Sequence, residues 1–372
     1  MKNIKKITAI LIAMFILFTC CSCSSEIKSS QSSQNVSGIS DNSEFTVRFI
    51  DVGQADCILV SCDGENMMID SGNAADGDLV ADYVEDLGIK TLNLIVSTHA
   101  HEDHLGGFPD IIEEIDVEKA LVSPGGHDTS YSQKFYNSLK KHSIPYSDAE
   151  HGDTFNLGSA KVQVVGPITN NEDDLNNTSV VLRLTYRGKS FLFTGDASRS
   201  EEKDILEAGY NVKADVLKAG HHGSNSSSNY VFLREVMPEY VVISVGKDNS
   251  YNHPGDNAVS RFKDAGATVY RTDMSGSVIC TVDENGEIKF TYEKTNTNSD
   301  KKSNITEDSD PFYYEGQTDF KIIGNKNTKV YHKDGCSALP NEKNRQYFEN
   351  EESAKKAGYK AHEKCVNQKW II

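Results

Sequence analysis

The chain has 372 residues, 37% of them hydrophobic and 25% charged, which is enough for one sizeable core and a small second module. Its formal net charge of −17 excludes broad, nonspecific gripping of nucleic acid, because that affinity comes from Lys and Arg neutralising phosphates. The acidity itself reads as solubility, and a local basic groove or a bound metal would still admit an anionic substrate.

The N-terminus, MKNIKKITAILIAMFILFTCCSCSSE, carries Lys2, Lys5 and Lys6, an apolar run from Ile7 to Phe18, then small residues and cysteines. A membrane span needs about 20 apolar residues, so residues 1–23 predict an export signal instead. The segment resembles a bacterial lipoprotein signal, with Cys20 and Cys23 as alternative lipid acceptors. That resemblance implies a chain lipid-anchored to the bacterial cell membrane on its extracytoplasmic side; a plain secretory signal with bystander cysteines is the alternative. Of the eight cysteines, Cys57, Cys62, Cys280, Cys336 and Cys365 lie beyond the signal, an odd and sparse set unlike a disulfide framework.

Residues 24–44 are Ser-rich and predict a flexible tether. Folded sequence opens at FTVRFIDVG, followed by strand patterns over Cys57–Val60 and Asn66–Asp70, a helix over Asp78–Leu87 and a buried strand LNLIVST. KVQVVGP, SVVLRLTYRG, KSFLFTGD, ADVLKAG and EYVVISVG predict further strands, with helices over Tyr131–Lys141, Ser200–Ala208 and Asn257–Ala265. Interleaved strands and helices predict an α/β (α+β) domain of sheets flanked by helices over residues 45–293. The polar stretch at residues 294–319 reads as a linker, leaving a tail domain at residues 320–372.

The run STHAHEDHLGG follows an apolar strand, so alternation places His99 and His101 on one side while the ensuing turn brings up Asp103 and His104. Imidazole and carboxylate donors suit zinc, manganese or iron, and the sequence alone does not choose among them; zinc or manganese is the expectation carried forward. This motif resembles the signature of the metallo-β-lactamase superfamily. FIDVGQADC, MMIDSG, NNTSVVLRL, FLFTGD, DVLKAGHHGS and ISVGKDNSYNHP extend the resemblance, in order, to the ComEC-like hydrolase domains of DNA-uptake proteins.

The resemblance implies an αββα sandwich and a site with two divalent metal ions, one on His99 and His101, the other on Asp103 and His104, with Asp196 bridging. It further implies that His221 or His222 completes the second ion's shell. His221 is the first choice because it comes sooner after the strand, which would leave His222 free to contact substrate or donate a proton. Asp103, His222 and His253 are the candidate catalytic side chains. Asp70 is expected to orient a ligand histidine. Asp51 and Gln54 are read either as substrate contacts or as turn chemistry. Where many superfamily members carry a further histidine, this chain reads LNNTSVV, which puts Asn176 or Asn177 near the metals.

The implied activity is an exported hydrolase using a metal-bridging hydroxide on a phosphodiester, with DNA as one substrate. Alternatives are another extracellular ester, such as phosphorylcholine or a lactone, and a non-catalytic module that retains metals.

In the tail, His332 and Cys336 form one closely spaced pair and His362 and Cys365 another, the pattern of a closed structural zinc site. The segment resembles the zinc-binding domain of the repair protein Ada, with histidines replacing two cysteines. A Cys336–Cys365 disulfide is the alternative. The tail's partner is left open.

Overall fold

Apolar side chains recur at every second position in most of the strands, so each strand has two usable faces, and burying both requires layers on either side. The computed structural model describes residues 44–170, 173–294, 304–305, 322–333, 340, 344–348 and 351–362. Cys20, Cys23, Cys336 and Cys365 lie outside them. In chain order the strands are β1 (Phe45–Phe49), β2 (Cys57–Cys62), β3 (Glu65–Ser71), β4 (Thr91–Leu92), β5 (Leu94–Ser97), β6 (Asp116–Val117), β7 (Ala120–Val122), β8 (Tyr146–Asp148) and β9 (Thr154–Leu157). The second half adds β10 (Ala160–Gly166), β11 (Val181–Tyr186), β12 (Lys189–Phe193), β13 (Val216–Lys218), β14 (Tyr240–Ile243), β15 (Thr268–Arg271), β16 (Ser277–Val282), β17 (Ile288–Lys294) and β18 (Asn304–Ile305).

These build a nine-stranded sheet, ordered β18-β17-β16-β1-β2-β3-β5-β7-β8, and a seven-stranded sheet, ordered β15-β14-β13-β12-β11-β10-β9. In each, an antiparallel part gives way to a parallel part, β3-β5-β7-β8 in the first and β12-β13-β14-β15 in the second.

Three buried clusters match the three interfaces of four layers. Between the sheets, Phe45, Phe49, Ile58 and Val60 pack with Leu182, Leu184, Phe191 and Phe193. On the other face of the first sheet, Leu59, Met68 and Ile95 meet Val80, Val84, Phe108, Phe135 and Leu139 from the helices Gly77–Asp86, Phe108–Glu114 and Ser130–Lys141. Outside the second sheet, Val181, Leu192 and Leu217 meet Ile205, Phe232 and Phe262 from the helices Arg199–Glu207, Tyr230–Val236 and Asp256–Asp264. Full burial of one such Phe or Leu stabilises by about 1.5–3 kcal/mol relative to exposure. The αββα sandwich expected from the resemblance is therefore present.

Two details differ from the expectation. The LNLIVST strand is broken at Asn93, whose side-chain oxygen accepts from the Asn66 N–H at 2.9 Å, so β4 pairs with β6 while β5 joins the main sheet. The helix Phe108–Glu114 was not among those read from sequence; its Pro109 stands in the first turn, where proline is well suited. Ile305 and Asn304, within the stretch read as a linker, pair with Glu293 and Lys294 at the end of β17.

In the tail, β19 (Ile322–Asn325), β20 (Val330–Lys333), β21 (Arg345–Phe348) and β22 (Lys360–Ala361) form a sheet ordered β21-β19-β20-β22. Ile322, Tyr331, Ala354 and Tyr359 make its small core. Among the described residues no helix is long and apolar enough to cross a membrane.

Candidate metal centre

The site lies beyond the carboxyl ends of parallel strands, where an open sheet leaves side chains and main-chain groups free to converge. After β5 ends at Ser97, residues 98–101 lead into the short helix Glu102–Leu105, whose first turn carries Asp103 and His104. Gly106 follows, and a Cβ there would stand 2.5 Å from the Ala74 nitrogen, so the helix can press against the preceding loop only without a side chain. Asp196 comes three residues after β12, beyond Gly195, which has φ +49°. His221 and His222 follow β13 in a turn where both adopt left-handed backbone, φ 52° and 51°. Such conformations cost about 1–2 kcal/mol per residue and gather at functional sites. Here the turn aims two adjacent imidazoles inward, and the Ser224 N–H closes it on the His221 carbonyl at 2.7 Å.

The imidazoles and carboxylates converge on Asp196. His99 Nε2 and His101 Nδ1 lie 2.9 Å apart, and His99 Nε2 is 4.0 Å from Asp196 Oδ2. His221 Nε2 stands 3.5 Å and His222 Nε2 3.7 Å from that same oxygen. Asp196 Oδ1 faces His104 Nε2 at 3.4 Å. His222 Nε2 is 3.3 Å from Asp103 Oδ2, and Asp103, His104 and His222 form one compact donor group. His99, His104 and Asp196 form another.

These residues fit divalent cations. His104 Nε2, His222 Nε2 and Asp196 Oδ1 are buried and make no hydrogen bond, while pointing at a common centre. Burial opposes the charged forms of all three, but the ion pairing outweighs it. Asp196 is held far below the usual carboxylate range by His104, His222 and His221. His104 is raised well above an ordinary imidazole by Asp196, Asp70 and Asp103, and His222 is raised to about 10 by Asp196 and Asp56. A carboxylate field that favours protons at these nitrogens favours a cation between them too. His99 and His101 are pushed down, mainly by burial, and so present neutral lone pairs.

Of the other residues read from sequence, Asp70 stands behind His104. Its Oδ2 is 2.8 Å from His104 Nδ1, and its carboxylate accepts from the Thr98 N–H at 2.8 Å and the Thr98 hydroxyl at 2.7 Å. Asn177 has its amide committed elsewhere: Nδ2 donates to Asp174 at 2.8 Å and Oδ1 accepts from the Ser198 N–H and hydroxyl. Asp51 accepts from the Gly53 N–H and Gln54 from the Gly246 N–H, so both brace loops. His253 is half-buried, 5.5 Å ring to ring from His221, and burial with His221 and His222 nearby pushes it down to about 4. At neutral pH it is a neutral ring.

Three contributors escaped the sequence reading. Ser179 Oγ accepts from the Asp196 N–H at 3.0 Å and lies 3.4 Å from His99 Nδ1. Asp56 and Lys218 form a buried pair at 2.8 Å. A lysine in the otherwise apolar, fully buried β13 was the available signal for that pair.

In the tail, parallel pairing of Val330 with Lys360 and Tyr331 with Ala361 sets the next residues side by side, and the His332 and His362 rings are 4.6 Å apart.

Residues 50–247 match the family model described as the metallo-beta-lactamase superfamily, and residues 305–368 match the metal binding domain of Ada. ComE operon protein 3 of Bacillus subtilis (strain 168) is 28% identical over 255 residues, which cover 64% of this chain and 33% of that protein. Competence protein ComA of Neisseria gonorrhoeae is 31% identical over 238 residues, covering 63% and 32% respectively. The endoribonuclease ysh-1 of Neurospora crassa is 22% identical over 185 residues, covering 45% and 22%. The chain thus spans about a third of the length, or less, of these curated relatives.

Proposed function

Since the chain belongs to the metallo-beta-lactamase superfamily, a family of metal-dependent hydrolases, we propose that it is a two-metal phosphodiesterase acting on nucleic acid or a similar diester. The observation that carries this reading is the convergence of His99, His104, His221 and His222 on the Asp196 carboxylate from both halves of the sandwich, with His101 beside His99 and Asp103 beside His222. His99, His101 and His221 would hold one ion, Asp103, His104 and His222 the other, and Asp196 would lie between them. On this assignment His221 takes the place of the histidine missing from LNNTSVV, and the buried His222, beside Asp103, serves the second ion. Paired divalent cations, when bound, make water acidic enough to act at neutral pH and neutralise charge on phosphoryl oxygens.

The chain's own residues do the arranging. Asp70 engages His104 Nδ1 and so leaves Nε2 for the centre, while Thr98 and Ser179 flank His99 Nδ1. His253, neutral and close to His221, would exchange a hydrogen bond with substrate. The similarity to an endoribonuclease and to a protein named for competence supports a phosphodiester over a lactam or lactone. The basic, then apolar, then cysteine-bearing N-terminus supports export and anchoring through Cys20 or Cys23. In the tail, the His332–His362 juxtaposition supports a structural zinc shared with Cys336 and Cys365.

The deciding assay is cleavage of bis(p-nitrophenyl) phosphate and of single-stranded DNA by the full chain with manganese or zinc, beside His101→Ala. Metal-dependent cleavage that falls at least about 100-fold in the variant is expected, as for loss of a group that acts on the transition state. A folded, metal-loaded chain that cleaves neither substrate would shift the reading to other esters or to binding without turnover.

A further inference from the structure

Asp56 and Lys218 are each 1% exposed and lie 2.8 Å apart, yet neither belongs to the ligand set proposed above. Asp56 sits in the loop between β1 and β2, and Lys218 ends β13 on the opposite sheet, so the pair joins the two halves of the sandwich. Removing two charges from water is costly and is often no better for stability than an apolar pair, so cohesion alone is a weak reason for it.

The contacts around the pair are directed at one side of the metal centre. Asp56 Oδ1 lies 3.2 Å from His222 Nδ1, and the Ser244 carbonyl oxygen lies 3.1 Å from the same nitrogen. Both are acceptors, so Nδ1 carries the hydrogen and Nε2 is left to face Asp103. The Asp56 N–H donates to the Asp103 carbonyl at 3.1 Å, and the Asp56 carbonyl accepts from the Gly72 N–H at 2.8 Å, two residues beyond Asp70. Lys218 Nζ also donates to the Ala219 carbonyl at 2.8 Å, at the entry to the turn that carries His221 and His222.

We infer that Asp56 and Lys218 are positioning residues for the second ion. Asp56 orients His222 through Nδ1 and Asp103 through its main chain, and Lys218 fixes the Asp56 carboxylate where it can do both. A carboxylate behind a ligand imidazole sets its tautomer and direction and strengthens it as a donor. The inference rests on the proposed reading of His222 as a ligand.

The test is a cobalt(II) titration of the metal-stripped full chain, followed by visible absorption, for wild type, Asp56→Asn, Lys218→Met, the Asp56→Asn/Lys218→Met double variant and His222→Ala, each with a thermal melt. Thiolate-to-cobalt absorption separates binding in the tail from binding at imidazoles and carboxylates. Wild type should take two ions at the centre. The single variants should hold the first with unchanged affinity and bind the second about 10- to 100-fold more weakly, moving towards His222→Ala. The double variant leaves no buried charge unpaired, so it should melt near wild type and still bind the second ion weakly. If it binds that ion as tightly as wild type, the pair serves only the fold and the inference is overturned. If wild type itself takes a single ion at the centre, the two-metal reading fails first and the inference falls with it.

Discussion

His104 illustrates how a candidate ligand is held from behind. Its ring is buried, its Nδ1 is tied to Asp70, and Asp70 is tied in turn to the main chain and hydroxyl of Thr98 beside His99. Asp70→Asn keeps the shape but removes the charge, so metal affinity should drop about 10- to 100-fold in a chelator competition while the melt of the metal-free chain changes little. An unchanged affinity would mean that Asp70 serves only the Thr98 turn. At this scale the sequence was informative where donors are neighbours along the chain, as in His99, His101, Asp103 and His104. It was silent where a contact arises from packing between halves, as for Ser179 beneath Asp196 and His99. The roles of His221 and His222 turn on two consecutive left-handed residues, which a pair of histidines before a glycine does not reveal.

The helix Arg199–Glu207 links secondary structure to the site by way of Glu202. That side chain is 1% exposed and accepts from the N–H groups of Ser228 and Asn229, in the loop following the histidine turn. Burial raises its carboxyl from 4.5 to about 7, with those donors and Arg261 only partly opposing. The folded chain therefore binds a proton more tightly here than the unfolded chain does. This group's contribution to stability is fullest below about 4.5 and is lost as pH rises towards about 7. Thermal melts across that window should show a shallower decline for Glu202→Gln than for wild type; parallel curves would remove Glu202 from the account. Helices of this kind were legible because their amphipathic period is long enough to count. The helix read as Tyr131–Lys141 is observed at Ser130–Lys141, where the Thr129 hydroxyl caps it by accepting from the Ser132 N–H at 3.1 Å. The edge strand β9 went unread because its four residues are largely exposed and its place comes from pairing with β10.

Across the whole molecule, a charge of −17 surrounds a site proposed to act on a polyanion. Long-range repulsion reaches about 30 Å at 0.01 M salt and only about 8 Å at 0.15 M. The kcat/KM for an oligonucleotide should therefore rise over that range, while a small monoanionic diester changes far less; a fall for the oligonucleotide would point to a local basic track that dominates the approach. The two sheets also divide the ligands, with His99, His101, Asp103 and His104 on the first side and Asp196, His221 and His222 on the second. Such a centre is a clasp at a seam, and neither half can fasten it alone. Ions that bind only the closed chain shift the folding balance by mass action, by about 2.7 kcal/mol each at a hundredfold excess over Kd. Metal supply would then govern how much folded protein persists, as well as how much of it turns over substrate.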